Sequence, residues 1–312
     1  MDAILQHQIK LLNHYVLGSI YSDKSAILWY YKGKKEIITD RKVFNGVLSK
    51  ICEEVYCNTP KYKNEMVNKT KISSQVATAR RNLIRAVVEN WSIKDLGFPD
   101  DKFPPEKTIY LSLLREAGIH ISYNGGYILS EPNERSFLDL WNVCNEFLEN
   151  AKSERRNLSE LVEILSSKPF KLKQGFIDFW LPIFLFIKRD DFALFCEGTY
   201  IPDINDEVLD LVVRNTKDFE IKTFDIAGVK LDLFYKYRML LNQAKQEKPS
   251  NKSFIETIKP FLTFYRGLPE YAKITRRLSK KTMALREAIA NAMDPEKTFF
   301  EDSTGLSALN IS

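Results

Sequence analysis

A chain of 312 residues, 44% hydrophobic and 28% charged, is long enough for two or three domains and has the balance of an ordinary globular protein. Its net charge of +5 is too small to argue for a polyanion partner by itself, so the distribution of charge has to be read instead. Four cysteines without a CxxC pair, three scattered histidines and a longest apolar run (176–187) of about 12 residues exclude a zinc knuckle, a histidine metal site and a membrane-spanning helix.

In chain order, apolar residues at helical spacing (Ile4, Leu5, Ile9, Leu12, Val16) predict a helix over 3–20. SAILWYY and KEIIT flank Lys32-Gly33 as a hairpin, and Asp40 is placed to cap a helix running to about Tyr56. Thr59-Pro60 breaks the chain. Ser73 or Ser74 caps the next helix, with Val76, Leu83, Ile84 and Val87 facing inward and Arg80, Arg81 and Arg85 expected on the opposite face. Pro105 opens a helix from about 106 to 116, Gly118 ends it, and Asn124-Gly125 turns a hairpin over 120–129.

Beyond Pro132, an amphipathic helix over 135–153 is built on Phe137, Leu138, Trp141, Cys144, Phe147 and Leu148. Asn157 or Ser159 caps a second helix, and FIDFWLPIFLFI is apolar on every side, as a core helix is. A hairpin around Gly198, a helix at 204–214 and a strand at 218–224 follow. A helix at 226–244, a linker AKQEKPSNKS, a helix near 254–266 and another near 279–292 capped by Ser279 complete the reading. The tail after Asp302 is small and polar.

The expected architecture is mainly α with small β-hairpins. Its parts are an N-terminal helix and hairpin (1–38), a basic winged-helix-like domain (39–132), a helical domain with a second, degenerate winged-helix-like order (133–248) and a C-terminal helical segment (249–312). Residues 61–86 hold seven Lys and Arg against the single acid Glu65. Lysine and arginine neutralise phosphates, and hydroxyls at a helix start suit backbone contacts. The candidate DNA-contacting residues are therefore Lys69, Lys71, Ser73, Ser74, Arg80, Arg81 and Arg85, with Tyr123 and Asn124 at the wing tip. The bland counterpart is a solvated basic face and ordinary turn chemistry. A second basic cluster, Lys273, Arg276, Arg277, Lys280 and Lys281 with Arg286, lies near Tyr265 and Tyr271. It reads equally as an extension of a nucleic-acid track, a face for an acidic neighbour, or solvated lysines.

Asp203 with Glu220 and Lys222 forms a loose PD…ExK pattern, a metal-dependent nuclease arrangement in which two acids hold the ion. The pattern is short, and the helix expected between its halves does not suit that fold. No nucleotide cradle or activated nucleophile is spelled out, so the expectation is a chain with no catalytic residues and no cofactor. The thiols sit among apolar neighbours and no signal peptide is visible, as expected of a cytoplasmic protein.

Three stretches carry a resemblance: EVYCNTPKYKNEMVNKTKISSQVATARRNLIRAVVE with FPPEKTIYLSLLREAGIH; FKLKQGFIDFWLPIFLFIKRDDFALFCEGTYIPDI; and FLTFYRGLPEYAKITRRLSKKTMALREAIANAMDPEKTFFED. In this order they resemble the region carboxy-terminal to the ATPase module of large bacterial anti-phage defence P-loop ATPases, the BREX-type P-loop proteins and their relatives. The resemblance runs from about residue 39 to 302. It implies winged-helix and helical domains that follow a nucleotide-binding module, and hence a fragment or a subunit separated from its motor. It also implies an ATPase domain or subunit as a partner, while double-stranded DNA is the partner expected from the basic stretch. The rival reading is a docking module, including self-association into a homo-oligomer, with no membrane partner in either case.

Overall fold

Local signals set most element ends. The computed structural model describes residues 3–20, 28–201, 203–223, 260 and 263–290. The chain divides into two compact units, Met1–Cys57 and Asn58–Ser312.

In the first unit, helix α1 spans Ala3–Ile20. Strands β1 (Trp29–Tyr31) and β2 (Lys34–Glu36) pair antiparallel, with Tyr31 opposite Lys34. Lys32 and Gly33 both take positive φ, the geometry a two-residue I′ turn needs. Asp40 caps α2 (Arg41–Val55), accepting from the Lys42 and Val43 amides. The Trp29 and Phe44 rings lie 4.9 Å apart, and the Tyr31 hydroxyl donates to Glu54 at 3.2 Å. Ile9, Leu11, Leu12 and Tyr15 of α1 are exposed, and α2 buries none of its residues.

In the second unit, α3 (Ser74–Asn90) is capped by the Ser73 hydroxyl, which accepts from the Val76 amide. Helix α4 (Pro105–Tyr110) starts on Pro105, continues as a π turn over Leu111–Arg115 and closes at Gly118, φ +68°. Strands β3 (His120–Tyr123) and β4 (Gly126–Leu129) turn on Asn124 and Gly125, both at positive φ. Helix α5 (Arg135–Asn150) buries Phe137, Leu140, Trp141, Cys144, Phe147 and Leu148. Leu138, expected inward, is exposed, and Leu140 takes the core position.

Strand β5 (Arg156–Asn157) leads into α6 (Leu158–Ser166), which Asn157 and Glu160 close with a reciprocal capping box. Helix α7 (Gln174–Ile187) is buried from Gly175 through Phe186 apart from Asp178, as its all-round apolar sequence predicts. Strands β6 (Ala193–Cys196) and β7 (Thr199–Ile201), helix α8 (Asp206–Arg214) and β8 (Phe219–Lys222) follow. The sheet order is β5-β8-β6-β7, all antiparallel. Helices α9 (Glu270–Ile274) and α10 (Lys280–Ala290) come last among the described residues, and the Arg266 guanidinium donates to the Tyr200 carbonyl at 2.8 Å. The expected helix at 226–244, the linker at 245–253 and the tail after 302 lie outside the described residues; the expected helix at 254–266 does so for the most part.

The molecule is mainly helical with small antiparallel sheets. The expected boundary at 38 falls after Cys57 instead, and no division falls at 132. Helix α2, assigned to the basic domain, belongs to the first unit. One hydrophobic core runs from Val67 through α3, α4, α5 and α7 to Ile221, so 58–132 and 133–223 fold around the same interior. Its centre is aromatic: Trp141 meets Phe184 edge-on at 5.2 Å, and Phe176 stacks on Trp180 at 6.3 Å. The Trp180 indole donates to Cys144 Sγ at 3.4 Å, and burial pushes that thiol up to about 12, so it is held protonated.

Candidate nucleic-acid interface

The segment 58–73 has little regular structure of its own and is held by other elements. The Lys61 amide donates to Ser136 Oγ at 2.9 Å, and the Asn64 amide group donates to Ser112 Oγ at 3.0 Å. Tyr62 packs edge-on against Phe176 at 5.1 Å. At the far end, the Gly175 amide donates to the Lys69 carbonyl at 2.8 Å, and Lys173 Nζ donates to the Asn68 carbonyl at 3.2 Å. The first turn of the core helix thus anchors the backbone that carries Lys69 and Lys71.

Lys61, Lys63, Lys69, Lys71 and Arg81 are exposed, and no carboxylate among the described residues forms an ion pair with any of them. Arg81 donates to the Thr78 hydroxyl at 3.2 Å. Ser73 and Ser74 are exposed at the start of α3, with the Ser73 hydroxyl serving as the cap. The fold adds Lys173, which the sequence reading passed over. Its signal was the tract KPFKLKQG ahead of the core helix, about 100 residues away in the chain.

Two of the three arginines are committed elsewhere. Arg80 does not face solvent: its side chain is 9% exposed, with Nη1 3.5 Å from Asp178 Oδ2 and Nη2 2.9 Å from Asp210 Oδ1. The spacing explains the correction. Positions 76, 80, 83, 84 and 87 are three or four residues apart, so Arg80 sits in the middle of the apolar stripe, while 81 and 85 lie on the far side. Arg85 is exposed but pairs with Asp206 at 3.1 Å, which favours its charged form. Burial raises the Asp178 carboxyl above its ordinary range, although Gln174 and Arg80 pull it down.

Tyr123 and Asn124 are exposed at the β3–β4 turn. No hydrogen bond or ion pair among the described residues joins them to the lysine segment. The base of the β3–β4 hairpin is fixed by His120, which is 4% exposed. Its Nε2 lies 2.9 Å from the Trp91 carbonyl, so that nitrogen carries the proton, and Nδ1 lies 2.8 Å from the Tyr110 hydroxyl. The Tyr110 hydroxyl is also 3.1 Å from Asp95 Oδ1, and Arg115 reaches the same oxygen at 3.3 Å. The Tyr127 ring lies 5.1 Å from the imidazole.

Burial lowers the His120 pKa below 6.5, outweighing the Trp91 carbonyl and Asp95, which act the other way. As pH falls below 6.5 the unfolded chain takes up this proton before the folded one does. The contribution of His120 is therefore full above 6.5 and is lost on acidification. The loss is at most about 1.4 kcal/mol per pH unit. Melting curves between pH 7.5 and 5.5 should fall more steeply for the parent than for His120→Gln. Equal slopes would mean that another group titrates.

The strand that leads to Asp203 and the strand that carries Glu220 and Lys222 are not neighbours. Strand β6 separates β7 from β8, two strand spacings or roughly 10 Å. Glu220 and Lys222 share one face of β8 while Phe219 and Ile221 are buried on the other, and Arg155 reaches Glu220 at 3.9 Å. No group of three His, Cys, Asp or Glu among the described residues is arranged to hold a metal ion. No helix among them is long and apolar enough to cross a membrane. Lys273 pairs with Glu270 at 2.9 Å, whereas Arg276, Arg277, Lys280 and Lys281 are exposed without a carboxylate partner among the described residues. No protein-family model matches the chain, and no curated protein or solved structure matches it.

Proposed function

We propose that the chain is a non-catalytic DNA-binding or DNA-sensing module of a bacterial anti-phage defence P-loop ATPase system. The observation that carries the DNA reading is a run of exposed cations, Lys61, Lys63, Lys69, Lys71 and Arg81, that form no ion pair among the described residues and sit on a backbone anchored to a buried helix. Held cations need less ordering when they meet phosphates than cations on a free tail do. The helix–helix–hairpin order of α3, α4 and β3-β4, and the helix–strand–helix–helix–hairpin order of α5 through β7, support two winged-helix-like units. In neither is the last helix before the hairpin free to enter a groove, because α7 is buried and α4 largely so. Contact through the lysine segment, the start of α3 and the wing is the reading that remains. The defence system and its ATPase partner rest on the resemblance of the three quoted stretches.

A labelled duplex titrated at low salt should bind with little sequence preference. Neutralising about five phosphates gives a slope of log affinity on log salt near −4 to −5. Lys69→Glu, Lys71→Glu and Arg81→Glu together should lower duplex affinity at least about tenfold with an unchanged melting temperature. Duplex binding equal to the parent's would remove this surface as the site. A docking role is favoured by one feature, the exposed apolar residues of α1. A stable oligomer in light scattering from the same sample, with no duplex binding, would support docking instead.

A further inference from the structure

We propose that α9, α10 and the turn between them form a second nucleic-acid site, which takes an unpaired strand. Tyr271 is 65% and Ile274 71% exposed, and their three-residue spacing puts them on one face of α9. Arg276 and Arg277 follow in the turn, and Lys280 and Lys281 stand in the first turn of α10, all exposed.

The two helices are clamped into one piece. Arg286 of α10 donates to the Thr275 carbonyl at 2.6 Å and the Ala272 carbonyl at 3.1 Å. The Arg277 amide donates to Thr275 Oγ1 at 3.3 Å, and Ser279 Oγ accepts from the Thr282 amide at 3.1 Å. Lysines at a helix start oppose the helix dipole, so their placement does nothing for folding and suits an anionic partner.

The exposed ring decides which polyanion fits. In a duplex the base faces are covered by their neighbours, so an aromatic face beside arginines gains from stacking only when a base is unpaired. A membrane surface fits less well. The apolar residues of α10, Met283, Leu285 and Ile289, are partly or fully buried, so α10 presents no continuous apolar face among the described residues, and the exposed Tyr271, Ile274 and Leu278 are interrupted by Lys273, Arg276 and Arg277. This site uses residues other than those of the lysine segment, so its failure leaves the duplex reading intact.

The test is fluorescence anisotropy on the whole chain with a labelled oligodeoxythymidylate, which cannot pair with itself. Tyr271→Leu should weaken binding about tenfold, and Tyr271→Phe should stay within about twofold. Arg276→Ala with Arg277→Ala should weaken it and flatten its salt dependence. The Lys69, Lys71 and Arg81 charge reversals should lose the duplex and keep the oligonucleotide within about twofold. The proposal is overturned by Tyr271→Leu binding like the parent, by Tyr271→Phe losing as much as Tyr271→Leu, or by the double arginine variant binding like the parent. Loss of the oligonucleotide in the charge-reversal variant, or no oligonucleotide binding alongside binding to phosphatidylserine–phosphatidylcholine vesicles, overturns it as well.

Discussion

Arg80→Ala should destabilise the second unit by about 3–5 kcal/mol, because it removes one partner of a buried ion pair and strands the other. Arg80 lies between α7 and α8, bound to Asp178 and Asp210. Without it, Asp210 keeps Arg214, but among the described residues Asp178 keeps only the Gln174 amide group at 2.7 Å. At about 2–4 °C per kcal/mol for a unit of this size, the melting temperature should drop by roughly 6–20 °C. Arg81→Ala, one residue on and exposed, should stay within about 0.5 kcal/mol.

The pH dependence has a definite sign. The Asp178 carboxyl is already raised by burial, and loss of Arg80 raises it further. The folded state then takes the proton before the unfolded chain does. The penalty is small near pH 3.8, grows as pH rises through the raised value, and is complete above it. Melts at pH 7 and pH 5 should therefore show a smaller Arg80→Ala defect at pH 5, and adding Asp178→Asn should recover part of the loss at pH 7. Arg80→Ala melting like Arg81→Ala would mean that the pair is not as buried as the geometry has it.

Gly175→Ala is the second large effect, and it runs against helix propensity. In an exposed helix interior this change gains up to about 1 kcal/mol. Here an added Cβ would stand 2.7 Å from the Lys69 carbonyl and 2.8 Å from Ile72 Cγ2, and closer still to the Val67 carbonyl. Backbone oxygens cannot swing aside as a side chain does. Crowding of this kind costs about 1–3 kcal/mol, or roughly 2–12 °C. The displaced backbone carries Lys69 and Lys71, so duplex affinity measured well below the melting point should fall as well. An unchanged or higher melting temperature would show that the segment yields without loss.

What the sequence determined by itself was local. Asp40, Ser73 and Asn157 cap helices because a short polar side chain reaches the free amides two or three residues on. Lys32-Gly33, Asn124-Gly125 and Glu197-Gly198 turn hairpins through two residues at positive φ. The burial of α7 follows from having no polar face to expose, and the burial of Arg80 was legible too, in a spacing that puts it among Val76, Leu83 and Ile84. Only the tertiary structure decided which carboxylates meet that arginine. Asp178 and Asp210 are 98 and 130 residues away, and helix periodicity carries no information about partners at that range. The same holds for Lys173 beside Asn68 and for the shared core across residue 132. Contacts of this kind are chosen by how whole faces pack, with one hydrophobic interior cheaper in exposed surface than two, and no short stretch of the chain contains that comparison.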